Sequence, residues 1–263
     1  MKPFDYFRPG SVSGAVALAR EQTCFLAGGM SLLPMMKHNL AAPVALIDLS
    51  AVPDLDGIHK TGEAIEIGAM TTHAAVAASV LVRETLPALV ALAVGIGDPA
   101  VRNRGTIGGS LANNDPAADY PAGVLGLGAT IVTDRREIAA DDFFVASFTT
   151  ALEPGELITA VRFPVPLAAG YVRFRSAASR FPLAGVFVAR FTGGVRVAVT
   201  GAAPSVFRVP GFEAPLAKDF SPGAIEAVSV DPARMLSDIN GGAAYRAHLV
   251  GVMARRAVAE AMG

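Results

Sequence analysis

"RNRGTIGGSLANNDPAADYPA", residues 102–122, sets two adjacent glycines between a threonine and a serine and follows them with Asn-Asn-Asp-Pro. Such a polar, flexible run stands out in a chain that is 52% hydrophobic and 17% charged. Gly108 and Gly109 allow a ligand to approach the main chain, and Thr106 and Ser110 add hydroxyls. Asn113, Asn114, Asp115 and Asp119 follow within one or two turns. A diphosphate takes N–H and O–H donors, and a ribose diol takes a carboxylate or amide, so both halves of a nucleotide find partners here. The alternative is local: Asn-Asn-Asp-Pro is turn chemistry, and Asp119 is a helix cap.

A second loop of the same kind lies upstream. "CFLAGGMSLLPMMK" (24–37) reads as a strand, a tight Gly28-Gly29 turn and the start of a helix, with Pro34 stopping the apolar run. N–H groups at such a junction converge on an anion, and Ser31 adds a hydroxyl. One loop alone reads as a plain turn; two with hydroxyl neighbours favour a dinucleotide. Neither carries the Lys-Ser/Thr of a P-loop. "GIGDPA" (95–100) fits G-x-G-x-x-A, but it follows a helical run instead of a strand, and Asp98-Pro99 interrupts the helix that would have to open there.

The 263 residues are ample for a buried core, and a net charge of −1 without a basic block argues against nucleic-acid binding. The single cysteine, Cys24, rules out an internal disulfide and any cysteine-ligated cluster on this chain, and reads as a small apolar residue of a buried strand. His38, His59, His73 and His248 have no ligand spacing, so no metal is expected. The N-terminus lacks a signal-peptide core and no apolar run reaches the roughly 20 residues of a spanning helix, which points to the cytoplasm. Asp141-Asp142 and Glu153/Glu156 read as exposed loop charges. No nucleophile elbow or Cys–His pair is present, so no catalytic residue is assigned: any reactive chemistry belongs to a bound cofactor.

Further along, residues 11–20 read as a helix capped by Ser11 or Ser13, and "VALIDLS" (44–50) as a strand, which makes a small β-α-β-like unit of residues 1–55. A helix follows Thr71-Thr72, another spans 86–94 with Pro87 near its start, and "ATIVT" and "ELITAVRFPVP" are strands. After residue 167, "YVRFRS", "GVFVARF" and "VRVAVTGAA" alternate as an antiparallel sheet does. Residues 211–235 read as loop. Residues 241–262 read as an amphipathic helix with Tyr245, Leu249, Val252 and Met253 on one face and a solvated Arg255-Arg256 pair.

"AGGMSLLPMMK", "GDPAVRNRGTIGGSLANNDPAADYPA", "ELITAVRFP", "VAVTGAAP" and "DINGGAAYRAHLVGVMARRAV" together resemble the FAD-binding medium subunit of molybdenum hydroxylases, the flavoproteins of the carbon monoxide and xanthine dehydrogenase group. The matches run in order from about residue 3 to 261. The resemblance implies an α+β fold: two FAD-binding subdomains, 1–55 and 56–166, then a C-terminal domain, 167–263, with a three-stranded antiparallel sheet and helices. It implies that Ala27, Gly28, Gly29, Met30, Ser31 and Leu32 form one loop on the FAD diphosphate, and Thr106, Gly109, Ser110, Asn113 and Asp119 the second. Ile96 and Gly97 would line the cofactor, Leu157 and Ile158 would pack near the flavin or adenine, and Tyr171 and Phe181 would neighbour the isoalloxazine ring. It further implies partners: a large subunit with a molybdenum cofactor and a small subunit with two [2Fe–2S] clusters, in a dimer of heterotrimers. Electrons would pass from the clusters through FAD to a quinone, NAD or oxygen.

The chain departs from the family pattern in three places. Met30 replaces a hydrogen-bonding residue, Ser176-Ala177 replace basic residues, and Arg180 stands where the family has Asp. Two other readings follow from such departures: a non-catalytic homologue that keeps the fold as a structural or regulatory module, and a stand-alone flavoprotein.

Overall fold

The computed structural model describes residues 1–177 and 179–263. The chain opens with a three-stranded parallel sheet whose central strand is Ala45–Asp48, flanked by Asp5–Phe7 and Thr23–Leu26. The helix Val12–Leu18 crosses between them, its Ser11 hydroxyl accepting from the Gly14 N–H. Pro34 does not stop the next helix, Leu32–Lys37, but sits in its first turn, where the missing N–H costs no intrahelical bond.

A second sheet is antiparallel and five-stranded. Its centre is Ile158–Pro164, between Ala64–Gly68 and Thr130–Thr133, with Ile58–Thr61 and Glu137–Ala139 at the edges. Register slips between Ile158 and Ala160, a bulge that re-aims the start of the central strand. Short helices pack on this sheet, among them Pro87–Gly95 and Tyr120–Leu127. All eight residues of Tyr120–Leu127 are buried, as expected for a helix that is apolar on every side.

The C-terminal sheet holds the three expected long strands, Ala168–Arg175, Pro182–Phe191 and Gly194–Thr200, and a two-residue fourth, Phe207–Arg208. The middle strand reads as a continuous apolar run because both its faces are covered. Ala184, Val186 and Val188 face the core under the helix Ala243–Met262, whereas Phe187 and Ala189 belong to the core shared with the second sheet. On the terminal helix Leu249 and Met253 are buried as expected, but Tyr245 is exposed. Arg246 is buried instead, donating to the carbonyls of Leu183 and Gly201 and to Asp238.

Residues 211–235 are more ordered than their composition suggests. A helix covers Pro210–Lys218 with Pro215 inside it, and Phe212 and Leu216 bury under the C-terminal sheet. Among the described residues no helix is long and apolar enough to cross a membrane.

Phe187 packs directly on Gly126, where an added Cβ would lie 2.8 Å from its ring. Phe187→Ala removes the side chain that joins the C-terminal sheet to the helix Tyr120–Leu127. Urea unfolding is expected to show a loss of about 3–5 kcal/mol.

Candidate functional site

The two glycine loops touch. A Cβ on Gly28 would lie 1.9 Å from the Arg104 carbonyl oxygen and 2.9 Å from the Gly105 Cα, and one on Gly109 would lie 3.4 Å from the Ala27 Cβ. No side chain fits where Gly28 meets the chain at Arg104. Gly29 next to it has φ +73°, the left-handed region that glycine enters without a Cβ clash.

The loops offer donors in different ways. Among the described residues, the N–H groups of Met30, Ser31 and Leu32 take no backbone acceptor, so the first loop presents main-chain donors. The second loop uses its own main chain to hold itself in place. Ile107 N–H donates to the Thr71 carbonyl, Gly108 N–H to that of Ala69, and Ser110 N–H to that of Thr106. Gly109 N–H donates to Thr106 Oγ1 at 3.1 Å. What this loop presents is therefore side chains: the Ser110 hydroxyl and the Asn113 amide. Asn114, in left-handed backbone at the end of the helix Ile107–Asn113, turns away and donates to the carbonyls of Ala146 and Thr149.

These loops form part of the wall of one cleft of about 790 Å³, within the usual range for small-molecule and cofactor sites. Every residue expected at the site lines it except Tyr171. Ala27 to Leu32 lie along one part, with Met30 at the rim, and Thr106, Gly109, Ser110, Asn113 and Asp119 along another. Ile96 and Gly97 come from the turn after Pro87–Gly95. That turn is helix-to-helix, with Asp98 Oδ1 capping Pro99–Arg104 through the Val101 N–H at 2.9 Å, so the G-x-G-x-x-A match carries no Rossmann geometry. Leu157 and Ile158 are buried just before the bulge, where Leu157 N–H donates to Asp134 Oδ1 at 2.7 Å. Phe181 and Arg180 stand on the rim, Arg180 at φ +64°.

Tyr171 is buried behind the wall, its hydroxyl donating to Asp119 Oδ1 at 2.5 Å. Asp119 begins the helix Tyr120–Leu127 without capping it through its side chain. It is paired instead with Arg173, whose guanidinium also donates to the Gly95 carbonyl. Burial pushes the Asp119 carboxyl above the usual carboxylate range, and Arg173 and Tyr171 pull it back.

Four cleft residues carry chemistry that the sequence did not reveal. Arg173 lines the cleft with its side chain only 7% exposed. His73 is buried with its Nδ1 unpartnered among the described residues. Burial, aided by Arg102, lowers its pKa to about 4, so the imidazole is neutral at pH 7. Cys24 is half-buried and lines the cleft, its thiol pushed up by burial. Glu156, expected to be an exposed loop charge, is buried. It accepts from Arg136, from the Thr133 hydroxyl at 2.8 Å and from the Glu153 N–H at 2.7 Å, which holds its pKa at about 2. Among the described residues no group of His, Cys, Asp and Glu side chains could hold a metal ion.

Residues 2–166 match a family described as the FAD binding domain in molybdopterin dehydrogenase. The nicotine 6-hydroxylase medium subunit of Paenarthrobacter nicotinovorans is 39% identical, over 97% of this chain and 96% of that one. The chain belongs to the FAD-binding medium subunits of molybdenum hydroxylases. The carbon monoxide dehydrogenase medium chain of Afipia carboxidovorans is also 39% identical, over 98% of this medium subunit and 96% of that chain. In a solved structure of carbon monoxide dehydrogenase from Hydrogenophaga pseudoflava, a chain 37% identical superposes with a TM-score of 0.90, covering 100% of this chain and 99% of that one. A chain of quinoline 2-oxidoreductase from Pseudomonas putida 86 is 27% identical with a TM-score of 0.89, over 99% and 98% of the two chains.

The cleft suits the family's cofactor. Glycine positions that a Cβ would fill lie beside free main-chain donors and hydroxyls, and an apolar stretch at Leu157 and Ile158 continues from them. Gly28→Ala places a methyl group against the Arg104 backbone and forces the loops of this medium subunit apart. FAD affinity is expected to fall at least tenfold, with a stability loss of about 1–3 kcal/mol from overpacking, measured by fluorescence titration and urea unfolding. Glu156 predicts an acid response. Its folded pKa lies below the unfolded value of about 4.3, so its stabilisation is complete above that value and fades as pH falls toward about 2. Arg136→Met is expected to be destabilised at pH 6, with the gap to wild type closing as pH falls from about 4.3 toward about 2.

Proposed function

We propose that this subunit is the electron-transfer flavoprotein of a molybdenum hydroxylase complex. It would take electrons from [2Fe–2S] clusters on a small subunit and pass them to a quinone, NAD or oxygen, while a large subunit with a molybdenum cofactor hydroxylates the substrate. The observation that carries this reading is the contact between two glycine loops that brings main-chain donors, hydroxyls and an amide to one cleft of cofactor size. It is supported by relatives of near-equal length that are themselves named as medium subunits or chains. When bound, FAD supplies the redox chemistry, since it exchanges one or two electrons with different partners. The protein's part is to bind and orient it. Met30 to Leu32 would donate N–H groups to the diphosphate, Ser31 and Ser110 hydroxyls, and Asn113 an amide, with Thr106 holding the second loop in shape. Leu157 and Ile158 would keep water from the planar end.

The units 1–55, 56–166 and 167–263 each contain one of the three main sheets, which supports a division into two cofactor-binding subdomains and a C-terminal domain. One cysteine on the whole chain supports placing the clusters on a partner, and a dimer of heterotrimers in the cytoplasm is the assembly proposed. Phe181 on the rim is the proposed ring neighbour. Tyr171 would act on the ring only from behind, through Asp119.

The purified subunit should be yellow and carry about one FAD per chain. Co-expression with adjacent genes for a cluster-bearing and a molybdenum-cofactor subunit should yield one complex whose flavin is reduced when substrate is added. A colourless protein that does not take up FAD overturns the proposal. Arg180→Asp replaces a rim cation by an anion, and the flavin potential is expected to fall; an unchanged potential removes Arg180 from any tuning role.

A further inference from the structure

Three side-chain atoms among the described residues are buried without a hydrogen-bond partner: His73 Nδ1, Tyr120 Oη and Ser205 Oγ. Buried polar atoms normally have partners, so each asks for an explanation. Two of the three stand on rings in contact. The His73 and Tyr120 ring centroids are 5.2 Å apart, with the planes tilted by 44°. His73 is 5% exposed and Tyr120 0%. Of the pair, only His73 lines the cleft.

His73 is clamped to the second glycine loop. Its main-chain N–H donates to the Gly105 carbonyl at 2.9 Å, and Thr72 pairs with Thr106 in an antiparallel bridge. A Cβ on Gly105 would lie 2.6 Å from His73 Nε2, so that nitrogen rests against the backbone on which Gly28 is seated. The imidazole therefore borders the contact that joins the two loops. Burial and Arg102 keep the ring neutral at pH 7, which leaves it one N–H and one acceptor to place. The orphaned atoms are complementary. A phenol has a hydrogen to give, and Nδ1 accepts it when the ring's own hydrogen is on Nε2. Paired in this way, the ring presents Nε2–H on the Gly105 side, at the cleft wall.

We infer that His73 is a further cofactor-binding residue of this subunit: Tyr120 holds its hydrogen on Nε2, and Nε2–H donates to an oxygen of the cofactor diphosphate. The inference rests on the FAD reading and adds one side-chain donor to the main-chain donors of Met30 to Leu32. Tyr120 is a positioning residue that selects the tautomer. The donor is neutral, so it adds a hydrogen bond without adding a charge.

The test uses the full chain freed of cofactor, with ADP as the probe for the diphosphate half and riboflavin for the flavin half. His73→Phe is expected to lose about tenfold in ADP affinity by calorimetry, as for one hydrogen bond to a charged group, with riboflavin affinity unchanged. His73→Gln keeps an N–H donor and should recover part of the loss. Nitrogen NMR of wild type should show the hydrogen of His73, the one buried histidine of the four, on Nε2, and that signal should move when ADP is added. In Tyr120→Phe the hydrogen should divide between the two nitrogens; a hydrogen still wholly on Nε2 removes Tyr120 from the proposal. Unchanged ADP affinity in folded His73→Phe overturns the inference. A riboflavin loss as large as the ADP loss, or larger, overturns it equally. Should the variants fail to fold, wild type decides: a hydrogen on Nδ1, or an Nε2 signal indifferent to ADP, removes the assignment. Wild type that binds neither FAD nor ADP overturns the cofactor reading itself, an outcome separable from a failure confined to His73.

Discussion

The structure of the cleft depends on one contact without side chains, the seat of Gly28 on the Arg104 carbonyl and Gly105. Two backbones that approach this closely leave no room for any residue but glycine. The contact ties the parallel sheet at the N-terminus to the helices that pack on the antiparallel sheet. It also explains why the loops divide their work. The second loop must be rigid to act as the seat, so its N–H groups are spent on Ala69, Thr71 and Thr106. The first loop rests on it and keeps its main-chain donors free.

That division separates what the residues disclosed from what they concealed. Gly28-Gly29 and Gly108-Gly109 were legible only together: one glycine pair reads as a plain turn, and two with hydroxyl neighbours read as a ligand site. The strands Ala45–Asp48, Thr130–Thr133 and Ile158–Pro164 were legible from short apolar runs bounded by turn residues. Proline misled once. Pro34 looks like a stop, yet it lies in a first turn; residues 211–235 read as loop, yet Phe212 and Leu216 hold a helix there against the core, with Pro215 inside it. The strand Asp5–Phe7 has only three residues and no alternation long enough to read.

Charges were concealed for a different reason. Whether an Arg or Glu is solvated depends on what the fold brings to it, and Glu156, Arg173 and Arg246 meet partners 20 to 78 positions away. Local spacing carries no trace of such distances. The same holds for Tyr171. The resemblance implied a ring that neighbours the flavin; the sequence did not show that Asp119, 52 positions upstream, accepts its hydroxyl behind the wall. His73 left one faint signal, a polar Thr-Thr-His in an apolar run, of which Thr72 proved to be a helix cap and His73 a neutral group beneath Gly105.

The buried Asp119–Arg173 pair raises the question of why the fold retains it. Taking two charges out of water costs several kcal/mol per ion, and a well-packed apolar substitute often serves stability as well or better. Stability alone therefore does not account for the pair. Position does: Asp119 and Gly95 hold the guanidinium at the cleft wall, which an apolar replacement cannot do. Among the described residues no group of His, Cys, Asp and Glu side chains could hold a metal ion, and this buried ion pair lies on the wall of the cleft. That is where a cofactor-carrying subunit has most need of a fixed charge, because the bound group's readiness to accept electrons is set by the charges and donors around it.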